Sequence, residues 1–160
     1  MRKSKEKNSK LSFTHIREIF FSLANFWPPF LGAGIRVDEY SKDFRYMRVR
    51  LVHRFWNLNL VGTQYGGSIF SMADPFYMMM LIKNLGPDYI VWDKSSSIRY
   101  RKPGKTDLQV EFQLSSADLA QIKKQVLADG KIDFEREVII KDKNGETIAE
   151  IKKVIQIKKR

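Results

Sequence analysis

The chain contains no cysteine, so disulfides, thiolate metal sites and a cysteine nucleophile are excluded together. Histidine is nearly as scarce. His15 and His53 stand too far apart to form a local metal-ligand pair, and neither reads as a catalytic base. Long apolar runs are also missing: the longest, residues 69–82, is interrupted by Asp74 and too short to cross a bilayer, so stable membrane insertion is not expected. The lysine-rich start leads into a segment broken by charges, so no secretory leader is read and a cytoplasmic location is expected. No repeat or low-complexity tract divides the chain.

Acidic residues are the minority charge, 18 against 29 Lys and Arg, for a formal net charge of +11. The excess is uneven. Residues 1–10 contribute +4 and residues 151–160 contribute +5, leaving only +2 for residues 11–150. Basicity confined to two ends argues against a nucleic-acid-reading surface. The ends read as solvated, with attraction to anionic membrane or RNA as the secondary reading. With 43% hydrophobic and 29% charged residues in a chain of 160, the composition suits one folded domain with a real core. The expected organisation is a basic flexible tail over 1–10 and a single domain over 11–160, with an N-terminal helical cap at 11–32.

Leu11, Ile16, Ile19, Phe20, Leu23 and Ala24 approach helical spacing over 11–25, and Trp27-Pro28-Pro29-Phe30-Leu31-Gly32 is expected to end that helix and turn the chain. Strands are expected at 35–39 and 46–52, the second with Met47, Val49 and Leu51 alternating with Arg48 and Arg50. A helix follows to about residue 85, stopped by Gly86-Pro87. A strand over 90–102 and an alternating strand through Leu108, Val110, Phe112 and Leu114 come next. The chain closes with a helix over 116–128 ended by Gly130, and a hairpin, 134–141 and 146–157, about Asn144-Gly145. A strand pair, a long buried helix and four antiparallel strands predict an α+β fold, one antiparallel sheet wrapped around a central helix.

The rest of the chain is organised around residues 59–74. Gly66 and Gly67 at the helix start leave backbone N–H groups free and let a ligand come close. Between Gly67 and Lys83 the only side chain charged at neutral pH is Asp74, on a helix otherwise apolar on every side. A carboxylate there needs a partner or has work to do. The stretch thus offers donors for a developing oxyanion and, two turns on, a base. Plainer readings stand beside these. Asp74-Pro75 can begin a fresh helix as a cap and first-turn pair; the expectation taken here is one continuous helix bent at Pro75. The glycines can serve close packing, and Asn59 can cap a turn. Met78, Met79 and Met80 fit core packing first and an adaptable acyl tunnel second.

The pattern Asn59-x-x-Gly62-x-x-Tyr65-Gly66-Gly67, followed by Phe70-Ser71-Met72-Ala73-Asp74, resembles the hotdog-fold acyl-CoA thioesterases, in particular the phenylacetyl-CoA type. Those proteins read Asn-x-x-Gly-x-x-His-Gly-Gly with an acid in the corresponding place, so Tyr65 departs from the pattern. The segment from Trp27 to Val37 looks like a hotdog family of unknown function, and Ile98-Arg99-Tyr100-Arg101-Lys102-Pro103 matches the strand after the helix. The resemblance covers about residues 20–157. It implies that the Gly66 amide holds the thioester oxyanion, that Asp74 from the facing subunit activates water or attacks directly, and that Asn59 orients the carbonyl or the water. It further implies substrate contacts at Thr63, Tyr65 and Gly67, with Asp93 where relatives carry a Ser or Thr that holds water. Arg99, Arg101 and Lys102, with Lys105, can meet the phosphates of coenzyme A or form a solvated face. It implies homodimers, leaves the pairing of dimers into tetramers open, and requires no metal or bound cofactor, coenzyme A entering with the substrate. Hydrolysis of acyl-CoA is the first reading. A non-catalytic acyl-CoA-binding hotdog is the second, and an RNA- or membrane-surface module acting through the basic ends the third.

Overall fold

The computed structural model describes residues 23–160. The tail 1–10, His15 and most of the helix expected over 11–25 lie outside the described residues. Ala24–Phe26 form a single 3-10 turn. The proline pair then corrects the expectation placed on it, because α1 (Pro28–Ala33) starts there instead of the chain merely turning. Trp27 is extended at φ −68° and ψ 126°, as a residue before proline prefers. Prolines in the first helical positions forfeit no bond, since those N–H groups have no partner within a helix.

Six strands form one antiparallel sheet: β1 (Ile35–Tyr40), β2 (Tyr46–Leu51), β3 (Tyr89–Tyr100), β4 (Leu108–Gln113), β5 (Lys131–Asp142) and β6 (Thr147–Lys159). Among the described residues their order is β1-β2-β4-β5-β6-β3, so β3 pairs with β6 on one side and is an edge of this sheet on the other. The expected alternation holds in β2 and β4, whose Met47, Val49, Leu51, Leu108, Val110 and Phe112 are buried. The Asn144-Gly145 turn joins β5 to β6, with Gly145 at φ 83° and Asp142 Oδ1 accepting from the amides of Asn144 and Glu146 at 2.9 Å each. Helix α4 (Ser116–Asp129) packs on β5 and β6.

The central helical segment covers the sheet's inner face as two pieces, α2 (Gly66–Ser71) and α3 (Phe76–Leu85). Phe112 of the sheet meets Phe76 at 5.1 Å between ring centroids and Tyr77 edge-on at 5.2 Å. The continuous, bent helix expected from sequence is therefore corrected to a helix broken at residues 72–75. Pro75 has no N–H to give the Ser71 carbonyl, which instead accepts from the Asp74 amide at 3.3 Å, while Ala73 N–H bonds Phe70 O at 3.1 Å. These tight turns replace the α ladder, and it restarts at Phe76.

Of the five basic residues after position 150, Lys152, Lys158, Lys159 and Arg160 are exposed as expected, although the first three belong to β6, which runs to Lys159; Lys153 is the exception. Lys153 falls on the inner face between Ile151 and Ile155 and is fully buried.

Candidate active site

The loop entering α2 is held by a buried amide. Asn57 Nδ2 donates to Ala33 O at 2.9 Å and Val52 O at 2.8 Å, its Oδ1 accepts from Arg54 N–H at 2.9 Å, and its carbonyl accepts from Tyr65 N–H at 3.1 Å. Asn59 is engaged in the loop as well. Its Oδ1 accepts from the amides of Val61 and Thr63 at 3.1 and 3.0 Å, and its Nδ2 donates to Thr63 Oγ1 at 2.8 Å. Asn59 and Thr63, both expected at the substrate, are thus tied to each other in a turn.

The amides of Gly66, Gly67 and Ser68 precede the first bond of α2, which Ile69 N–H makes to Tyr65 O at 3.1 Å. Each glycine has a neighbour that explains it. A Cβ on Gly67 would lie 2.4 Å from Tyr65 Cε1, so the exposed Tyr65 ring folds back over that glycine. A Cβ on Gly66 would lie 3.0 Å from Tyr100 Oη, and that hydroxyl donates to Gly66 O at 2.9 Å. Burial, and secondarily Tyr65, push the Tyr100 phenol above its usual range, which keeps it a proton donor. An open groove beside this start is lined by Gly32, Ala33, Trp56, Tyr65, Gly67 and Ser71.

Asp74 stands at the helix break with its side chain 52% exposed, against a Lys153 side chain of 0%. The Lys153 ammonium donates to the Asp74 backbone carbonyl and, at 3.2 Å, to Asp74 Oδ1. Asp93 Oδ1 on β3 is also 3.2 Å from Lys153 Nζ, within ion-pair reach but at an angle that makes no hydrogen bond. Burial pushes the Asp93 carboxyl up, Lys153 pulls it down, the Asp74 charge pushes it up again, and the net is above the ordinary 3.8. Asp74, expected to have a partner or a role, has the partner: it is one corner of a triad with Lys153 and Asp93.

A family model described as a domain of unknown function, DUF4442, matches residues 17–157. The chain belongs to the DUF4442 family. No curated protein matches it. Among solved structures, this DUF4442 chain is similar to PA5026 of Pseudomonas aeruginosa, described as of unknown function and a probable thioesterase, with a TM-score of 0.76, 24% identity, and coverage of 89% of this chain and 95% of that one. It is similar to PaaI of E. coli, from the phenylacetic acid degradation operon, at a TM-score of 0.59, 14% identity and coverage of 93% and 96%. A third, smu.793 of Streptococcus mutans, was solved bound to acetyl-CoA; its TM-score is 0.55, with 18% identity and coverage of 79% and 90%. At these identities the likeness establishes the fold, a hotdog.

In this DUF4442 chain the expected site residues divide into two places on the inner face of β3. Gly66, Gly67 and Tyr65 gather at its Tyr100 end, and Asp74 meets Asp93 nearer its middle. Eight residues of mostly helical rise separate Gly66 from Asp74, about 12 Å. Arg101 pairs with Glu150 at 2.6 Å and Lys102 pairs with Glu146, while Arg99 is exposed opposite Glu150. Sequence reading missed Asn57, Tyr100 and Lys153. The period-two run Ile151, Lys153, Ile155, Ile157 was the available signal for the last.

Proposed function

We propose that this chain hydrolyses acyl-CoA thioesters at a site shared by two copies, with Asp74 of one and the Gly66 amide of the other. The observation that carries the reading is the state of Asp74: a carboxylate half in solvent, at a helix break beside the edge strand, fixed by an ammonium with no exposure. A separation of about 12 Å keeps Gly66 and Asp74 of one chain from touching the same carbonyl. Antiparallel pairing of two β3 edges about a two-fold axis near Ser96 and Ser97 would set the Tyr100 end of one strand beside Asp93 of the other, and that register would join the two halves.

In this mechanism the Asp74 carboxylate takes a proton from water as the water oxygen bonds to the thioester carbon. The carbonyl oxygen gains the negative charge and accepts from the Gly66 N–H. Because α2 has only six residues, its macrodipole adds little and the amide itself does this work. The C–S bond then breaks with its electron pair on sulfur, and the proton passes from Asp74 to the thiolate. The products are a carboxylic acid and a free thiol. The groove lined by Trp56 and Tyr65 suits the acyl group, and exposed Arg99, with Arg101 and Lys102 behind their acidic partners, suits the coenzyme phosphates.

Thiol release across short, long and aromatic acyl-CoAs tests this reading. Asp74→Asn is expected to lower kcat by about 10²-fold or more. Equal rates in the two proteins would remove Asp74 from the chemistry. A parent that binds acyl-CoA saturably yet releases no thiol would favour a binding protein, a reading supported by Tyr65 in place of histidine and by the engagement of Asn59 within its loop.

A further inference from the structure

We infer that Lys153 is a positioning residue of this site: its buried ammonium grips both the backbone and the side chain of Asp74 and so fixes where that carboxylate acts. The inference rests on Asp74 working in thioester hydrolysis, as proposed above. Lys153 occupies an inward position of β6 between Ile151 and Ile155, where the strand's own pattern calls for an aliphatic side chain. A lysine buried there is unfavourable unless every N–H finds a partner. Two acceptors take its N–H groups, the Asp74 carbonyl and Asp74 Oδ1 at 3.2 Å, and the charge is further balanced by Asp93 Oδ1, 3.2 Å away as an ion pair without a hydrogen bond. With no exposed surface the group touches no ligand and acts only through Asp74.

The double contact with Asp74 separates this arrangement from an ordinary ion pair. Pro75 breaks the helix and removes the ladder that would otherwise set the backbone of residue 74. Lys153 supplies the missing constraint from the sheet by holding the carbonyl of that residue, and from the same nitrogen it orients the carboxylate. Asp93, on the edge strand, fixes the ammonium from the other side. The remaining charge facing Lys153 is Arg136 across the strand pair, whose guanidinium is taken up by Asp118 of α4 and therefore does not compete for Asp74.

The test is steady-state thiol release with Lys153→Met, alone and combined with Asp74→Asn. Lys153→Met is expected to lower kcat by about 10²-fold, the scale of a misplaced catalytic group, with KM within about twofold of the parent. In the Asp74→Asn background the same change is expected to have no further effect on the residual rate beyond about twofold, because the group it positions is already gone. A residue that only stabilises the fold would lower the rate equally in both backgrounds. A folded Lys153→Met with parental kcat, beside an inactive Asp74→Asn, overturns the inference and leaves the thioesterase reading standing. A parent without thiol release, or an Asp74→Asn protein at full rate, overturns the thioesterase reading and the inference with it. Should Lys153→Met fail to fold, the ¹⁵N-labelled parent provides the second measurement: a protected Lys153 ammonium resonance, expected at neutral pH and expected to shift in Asp74→Asn. A resonance absent from the parent, or unmoved by that substitution, overturns the inference.

Discussion

Asp93 is half-buried beside one cation and one anion, and its proton affinity follows from that company. Desolvation raises its carboxyl, Lys153 lowers it by less, and Asp74 adds to the rise, so the folded protein binds this proton more tightly than the unfolded chain does. The folded pKa being the higher, Asp93 favours the folded state below the ordinary value of 3.8, and that contribution is lost as pH rises through the raised value. Urea midpoints of the parent and Asp93→Asn, followed from pH 7 to pH 4, are expected to move apart in the parent's favour as pH falls, because asparagine has no proton to gain. Parallel curves would show that burial leaves Asp93 unaffected.

At the scale of elements, helix α4 begins for a local reason and gives a clean measurement. Helix α4 starts in a reciprocal cap: Ser115 Oγ accepts from Asp118 N–H at 3.0 Å, and Asp118 Oδ2 accepts from Ser115 N–H at 2.9 Å. Burial raises the Asp118 carboxyl, but Arg136 and the two Ser115 contacts together outweigh it and hold it below its usual range. The sign is opposite to that of Asp93: this stabilisation is full above the unfolded value and is lost as pH falls through the lowered one. Ser115→Ala is expected to lower stability by about 1 kcal/mol at pH 7, and by less in acid, as read from chemical denaturation.

The end of α4 at Gly130, the Asn144-Gly145 turn and the alternation in β2 and β4 were legible in the sequence because local chemistry decides them; the Ser115 cap at the start of α4 was not read. The break at residues 72–75 was not legible, since Pro75 permits either a bent or a broken helix and Lys153, which holds the Asp74 carbonyl at the break, is 79 residues away. Lys153 itself was hidden by its neighbours. Read as one of five basic residues near the C-terminus it looked solvated, and only the register of β6 turns it inward. The loop before α2 misled in a smaller way. Asn59 stood out through its place in a motif, yet the amide that anchors the loop in the interior is Asn57, two residues earlier.

For the whole molecule the question is whether one copy is a complete catalyst, and the strand order bears on it directly. β3 is twelve residues long, carries Tyr100 and Asp93, one from each half of the site, on its inner face, and among the described residues has a strand on one side only. A long edge of this kind is a ready surface for pairing with a second copy. If two chains share each site, two differently damaged chains should repair one another. Gly66→Pro suits this test, because position 66 is the first residue of α2 and Tyr65 before it is already extended at ψ 128°. Proline there removes the one N–H that the mechanism requires without costing α2 a hydrogen bond, and its Cβ, 3.0 Å from Tyr100 Oη, requires that exposed ring to shift by a few tenths of an ångström. Alone, Gly66→Pro is expected to lose about 10²- to 10³-fold in kcat, and Asp74→Asn about as much. Unfolded and refolded together in equal amounts, half of the dimers formed are mixed, and each mixed dimer has one site built from an intact Gly66 amide and an intact Asp74. Thiol release should then recover to about a quarter of the parent's rate per chain. Recovery at that level requires a composite site, whereas a mixture no more active than its components would place each site within a single chain and leave the 12 Å between Gly66 and Asp74 to be closed some other way.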